Sequence, residues 1–215
     1  GGGAAGAVRA VPLPGVVAGF APPPTPEGAG RQASPGIAAD PSGRRAVVVS
    51  DETLVTVDLE TLDVPVLKHL GRRPARAAKR VEGWGRRALW LPDDRIVYTG
   101  YDIDTADPQA PTRPAGVTFL DLVTGTSREL DAGASAIAVT GSTLLAFGGS
   151  ALRGYDLGGR LRFELLPGGD TGYVQTSGRY AYVGSENSTR FTVVDVRAGR
   201  VLGRTRTPNP TIVLG

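Results

Sequence analysis

Apolar residues along this chain come in short runs rich in Val, Leu, Ile, Tyr and Phe, each cut off by Gly, Ser, Asp or Asn. That pattern predicts strands joined by hairpins, because β-branched and aromatic side chains fit a pleated surface while the small polar residues supply turns. No stretch of comparable length reads as a helix. The strand pattern also recurs. Ser42-Gly43-Arg44-Arg45-Ala46-Val47-Val48-Val49 leads to Thr56-Val57-Asp58-Leu59-Glu60-Thr61, and three altered copies follow. The second runs from Asp93-Asp94-Arg95-Ile96-Val97-Tyr98 to Thr118-Phe119-Leu120-Asp121-Leu122-Val123-Thr124-Gly125. The third runs from Gly141-Ser142-Thr143-Leu144-Leu145-Ala146-Phe147 to Arg153-Gly154-Tyr155-Asp156-Leu157-Gly158-Gly159. The fourth runs from Gly178-Arg179-Tyr180-Ala181-Tyr182-Val183 to Val193-Val194-Asp195-Val196-Arg197-Ala198-Gly199.

The aspartates that end these copies, Asp58, Asp121, Asp156 and Asp195, stand 63, 35 and 39 residues apart. The two short intervals match one four-stranded propeller blade, and the long one holds an insertion of about twelve residues in the second copy. A single copy buries only one face against its neighbours, so several must stack to enclose a core. The expected fold is therefore an all-β propeller of about four blades, either a small closed ring or an open arc of a larger one. Its blades would span residues 37–70, 71–130, 131–166 and 167–207, with 208–215 starting a further blade or closing the ring. Tyr155, Tyr182, Phe191 and Val194 are expected to face blade interfaces. Gly125, Gly159 and Gly199 supply the positive φ that a tight turn needs. Leu62 takes that place in the first copy, which predicts a different turn there.

The phrase from Val193 to Val201, with Ser177-Gly178-Arg179-Tyr180-Ala181-Tyr182-Val183 before it, resembles the YVTN-type repeats of bacterial β-propellers and blades of the wider quinoprotein-like and lactonase-like group. The resemblance covers roughly residues 37 to 215. It implies a propeller and leaves the role open, since one fold hosts many functions. Relatives of this kind include hydrolases and oxidoreductases with a metal or quinone in the central channel, but no residue here falls in a recognisable motif for either site. The resemblance also implies a bacterial, extracytoplasmic setting: periplasm, cell envelope or secreted.

Residues 1–36 hold nine glycines and seven prolines and read as a linker, or as the remnant of a preceding blade, with a hint of a strand only at 8–17. The chain has no methionine and closes on Thr211-Ile212-Val213-Leu214-Gly215, which reads as another inner strand, so a fragment or processed chain is expected. No apolar run is long enough for a membrane-spanning helix. Cysteine is absent, which excludes disulfides and thiolate chemistry, and His69 is the sole histidine, which excludes a triad or a two-histidine metal site.

Two clusters remain. Lys68, Arg72, Arg73, Arg76, Lys79, Arg80, Arg86 and Arg87 stand against one acid, Glu82, and form a candidate site for an anionic partner; paired or solvated arginines are the plainer reading. Nucleic acid is the weakest option, because no aromatic-rich strand accompanies the run. Trp84 and Trp90, at its end, are expected to anchor packing. Asp102, Asp104 and Asp107 sit in the insertion, where carboxylates on a loop could hold a divalent metal such as calcium. Their spacing departs from the helical calcium loop, with Ala106 where the third acid would stand. No cofactor is otherwise predicted. Together these features favour a non-catalytic propeller scaffold that binds a protein or small ligand through its loops, with a propeller hydrolase or oxidoreductase as the alternative.

Overall fold

A computed structural model gives the fold and describes residues 10–16, 18–21, 31–70, 83–103, 113–166, 168, 171–184 and 190–206. Nineteen strands are present among them. β3 (Gly36–Ala39), β4 (Arg45–Val49), β5 (Thr53–Asp58) and β6 (Val66–His69) form one antiparallel sheet. β7 (Gly83–Leu91), β8 (Arg95–Ile103), β10 (Val117–Asp121) and β11 (Ser127–Asp131) form the second, with β9 (Arg113–Pro114) paired to β8 inside the insertion. β12 (Ala136–Thr140), β13 (Thr143–Phe147), β14 (Leu152–Asp156) and β15 (Leu161–Leu165) form the third. β16 (Tyr173–Ser177), β17 (Tyr180–Gly184), β18 (Arg190–Asp195) and β19 (Arg200–Arg206) form the fourth.

The first strand of each sheet packs on its neighbour in chain order: β3 on β7, β7 on β12, β12 on β16. Consecutive sheets that meet through their first strands are propeller blades, and the described residues form four blades of a β-propeller. Among the described residues no comparable packing joins β16 back to β3. Residues 205–206 belong to β19, where Thr205 pairs with Phe191, while 207–215, expected to continue or close the ring, lie outside the described residues.

Apolar layers fill the space between neighbouring blades. Val47, Val49 and Leu54 of the first blade meet Ala88, Trp90, Ile96 and Leu120 of the second. Leu91, Val97, Val117 and Phe119 meet Ile137, Leu144 and Tyr155 of the third. Leu145, Phe147 and Leu152 meet Ala181, Val183 and Val194 of the fourth. Inner strands such as β5 and β13 therefore bury both faces, as their nearly continuous apolar runs require, while the outer strands β11, β15 and β19 stay largely exposed. Of the residues expected at interfaces, Tyr155, Phe191 and Val194 are buried, whereas Tyr182 is only half-buried. In blades two to four the third strand shows the same register shift against the fourth, at Val117/Thr118, Gly154/Tyr155 and Val193/Val194. One extra residue there twists the outer strand away from its neighbour.

The N-terminal segment contributes two short strands among its described residues. Residues 10–16 carry no strand, because Pro12 and Pro14 remove amide donors and Val16 closes a turn on Leu13. Strands form instead at β1 (Gly19–Ala21) and β2 (Arg31–Ser34), an antiparallel hairpin. β2 pairs in parallel with the start of β7, at Ala33 with Trp84 and Ser34 with Gly85, and so covers an edge that would otherwise be open. The chain then crosses from the second blade to the first at Gly36. A side chain there would lie 2.7 Å from the Arg87 backbone, so only glycine permits the crossing.

Candidate binding face

Strand direction divides the propeller into two unlike faces. On one, every reversal is short: 40–44, 59–65, 92–94, 122–126, 141–142, 157–160, 178–179 and 196–199. The recurring aspartates close the outer turns of this face. Asp58 accepts the N–H groups of Glu60 and Thr61, Asp121 that of Thr124, Asp156 those of Gly158 and Arg160, and Asp195 that of Ala198. Such bonds satisfy amides that a tight turn leaves without a backbone partner. They also hold the carboxyls of Asp58, Asp121 and Asp195 below their ordinary value, and Arg179, which donates to Asp195, adds to the effect in the fourth blade.

The opposite face carries the long connections. β1 ends at Ala21 and β2 begins at Arg31; β6 ends at His69 and β7 begins at Gly83; β8 ends at Ile103 and β9 begins at Arg113; β17 ends at Gly184 and β18 begins at Arg190. Each of these ends points to the same side of the blades. The connections whose sequence holds most of the basic run and the acidic insertion thus leave from one face.

Arg86 anchors the described part of that face. Its side chain is 5% exposed, and its Nη2 donates to Asp51 Oδ1 at 2.5 Å and to Asp102 Oδ1 at 2.8 Å. Nη1 donates to the carbonyls of Tyr101, at 2.8 Å, and Gly85, at 3.1 Å. The guanidinium lies 5.3 Å over the Trp84 ring. Asp51 sits in the turn between β4 and β5, so Arg86 ties the first blade to the second and fixes the base of the β7–β8 hairpin. A planar fork with five donors suits this mix of carboxylates and carbonyls, where a lysine would leave acceptors unfilled. Tyr101 lies across Gly85, where a side chain would meet the ring at 2.7 Å.

The residues singled out from sequence distribute as follows. Arg86 and Asp102, drawn from the two different clusters, pair with each other. The positive charge that a metal would bring to Asp102 is there already as the Arg86 guanidinium. Asp104 and Asp107 lie outside the described residues, as do Arg72, Arg73, Arg76, Lys79 and Arg80. Among the described residues no three metal-ligating side chains come together. Arg87 is exposed, and Lys68 Nζ donates to the Gly125 carbonyl of the neighbouring blade at 2.7 Å. His69 is exposed at the end of β6. Trp90 is buried between the first two blades beneath Arg45, whose guanidinium lies 4.8 Å from the ring, and Trp84 is equally buried under Arg86.

Two features escaped the sequence reading. Arg153 donates to Asp131, at 2.7 Å, and to Glu164, at 2.8 Å, linking the second and third blades. A shallow cavity of about 550 Å³ opens on the turn face, lined by Ser142, Asp156, Leu157, Arg160, Leu161 and Arg162. Both join residues from separate strands, and the only available signal was recurrence at the blade interval.

No family model matches the chain, and no curated protein matches it. Similar solved structures include Kuenenia stuttgartiensis hydrazine synthase, at 17% identity and TM-score 0.49 over 80% of this chain. Others are a nidogen/laminin complex, at 14% identity and TM-score 0.46 over 83%, and apo AztD from Citrobacter koseri, at 11% identity and TM-score 0.47 over 86%. This chain spans 48%, 65% and 56% of the respective chains, less than two thirds in each case.

Proposed function

We propose that the protein is a YVTN-type, quinoprotein-like propeller acting as a non-catalytic binding scaffold, extracytoplasmic and bacterial, whose loop-bearing face takes a protein or small ligand with anionic groups. The observation that carries this reading is the asymmetry of the two faces. Short aspartate-capped turns close one, while the connections that hold Arg72, Arg73, Arg76, Lys79 and Arg80 leave from the other. Binding residues concentrate on loops held by a rigid scaffold, and a cluster of one charge sign draws its partner by long-range attraction. Arg86 serves that role by holding the base of the face rigid; its own donors are engaged within the chain.

The reading predicts no turnover of a panel of esters, lactones and sugars by the purified chain, with or without added divalent metal. Reproducible hydrolysis that a single acidic substitution abolishes would overturn it, because that pattern requires a positioned catalytic carboxylate.

A further inference from the structure

Among the described residues, five arginines on the turn face of blades two to four make no ion pair with a carboxylate. Arg128 follows the outer turn of the second blade, Arg160 and Arg162 adjoin that of the third, and Arg197 and Arg200 adjoin that of the fourth; all five are exposed. Among the described residues none of them makes an ion pair, whereas Arg45, Arg86, Arg153 and Arg179 each do. Contacts and a shared cavity link four of the five. Arg128 Nη2 donates to the Gly158 carbonyl at 2.6 Å, Arg160 and Arg162 line one cavity, and Arg162 Nη2 reaches the Arg197 carbonyl at 3.4 Å. A continuous strip of positive charge therefore crosses three blades.

The acids nearby do little to neutralise it. Asp195 is buried and taken by Arg179, Glu164 is taken by Arg153, and Asp156 stands in the cavity with Oδ1 already accepting two amides. Exposed aliphatic side chains lie among the arginines: Leu161 at 51%, Val201 at 42% and Leu202 at 46%. Arg128 and Arg160 are 32 residues apart and Arg162 and Arg197 are 35 apart, close to one blade, so no basic run marks the strip in the sequence.

We propose that this strip is a docking surface for an acidic, leucine-bearing segment of a protein partner, laid across the outer turns of blades two to four. Guanidinium forks match carboxylates, and the interleaved aliphatic side chains give apolar residues of the segment a place to bury. Asp156 within the strip works against a dianionic phosphate. Stacked nucleic-acid bases lack a platform, since the exposed aromatic ring on this face, Tyr180, already carries Arg179 at 5.3 Å. The surface is opposite the loop-bearing face and does not depend on the function proposed above.

The test titrates a fluorescein-labelled peptide of alternating glutamate and leucine against the full chain at low salt, read by anisotropy. Replacing Arg160, Arg197 and Arg200 together by Ser should weaken binding about tenfold or more, while replacing Arg72, Arg73, Arg76 and Arg80 by Ser should change it by less than about twofold. Unchanged affinity in the first variant, or an equal loss in the second, would overturn the proposal; an equal loss would move the contact to the loop face. Tighter binding of a single-stranded oligodeoxynucleotide or of phosphatidylserine vesicles than of the peptide would also overturn it. Arg197→Glu alone, at an exposed turn position, supplies an independent reading if the triple variant melts early; unaltered affinity there counts against the strip.

Discussion

Leu62 occupies a backbone conformation, φ +67°, that glycine fills in the sister turns, where Gly125 has φ +70° and Gly199 φ +62°. Its N–H bonds to the Asp58 carbonyl, as that of Gly125 bonds to Asp121. The first turn is thus of the same type as the second, against the expectation drawn from the missing glycine. Turn type follows from the aspartate cap and the strand register, which Leu62 shares with its sisters, and the leucine bears the strain. A left-handed L residue costs about 1–2 kcal/mol, offset in part by the greater unfolded-state freedom of glycine and the loss of a half-buried side chain. Leu62→Gly should therefore stabilise the fold by about 0.5–1 kcal/mol in urea melts, and a loss above about 1 kcal/mol would show that the side chain's packing outweighs the strain. Single residues were legible where their chemistry is local. The recurring aspartates pointed to strand ends from spacing alone, but pairing between Arg86 and Asp51 depends on two blades meeting and left no local trace.

At the level of elements, each blade interface rests on a few buried side chains. Tyr155 on β14 is 3% exposed and donates its hydroxyl to the Leu130 carbonyl of the preceding blade at 3.0 Å, and burial raises its pKa. Tyr182 on β17 is half-buried and belongs to none of the three apolar layers. Tyr155→Ala should cost about 3–5 kcal/mol and Tyr182→Ala about 1 kcal/mol. Equal losses in denaturant melts would contradict this assignment of the interface. The strands of the four copies were legible because β-branched and aromatic runs end at turn residues. The β1–β2 hairpin was not: a segment this rich in glycine and proline gives no apolar alternation, and the hairpin forms because β7 offers an open edge. The same reasoning explains Gly36, whose need is set by the Arg87 backbone and not by its own neighbours in sequence.

For the whole molecule, blade order dictates which face carries which loops. Strands alternate in direction, so the first and third reversals of every blade fall on one side and the second, with the connection to the next blade, on the other. Propeller architecture and the place of the insertion were legible from the aspartate intervals. The basic run and the acidic insertion read as two separate candidates, and the fold joins them at one point, through Arg86 and Asp102. The five-arginine strip was invisible because its members are spread over three blades.

The most direct test replaces residues 71–80 and 104–112 by Gly-Ser linkers of equal length, then measures thermal melting and the salt needed to elute the chain from a sulfonate resin. A scaffold that carries its binding chemistry on loops should melt within about 5 °C of the parent and elute at clearly lower salt. An exchanged chain that no longer folds, or one that elutes unchanged, would contradict the account.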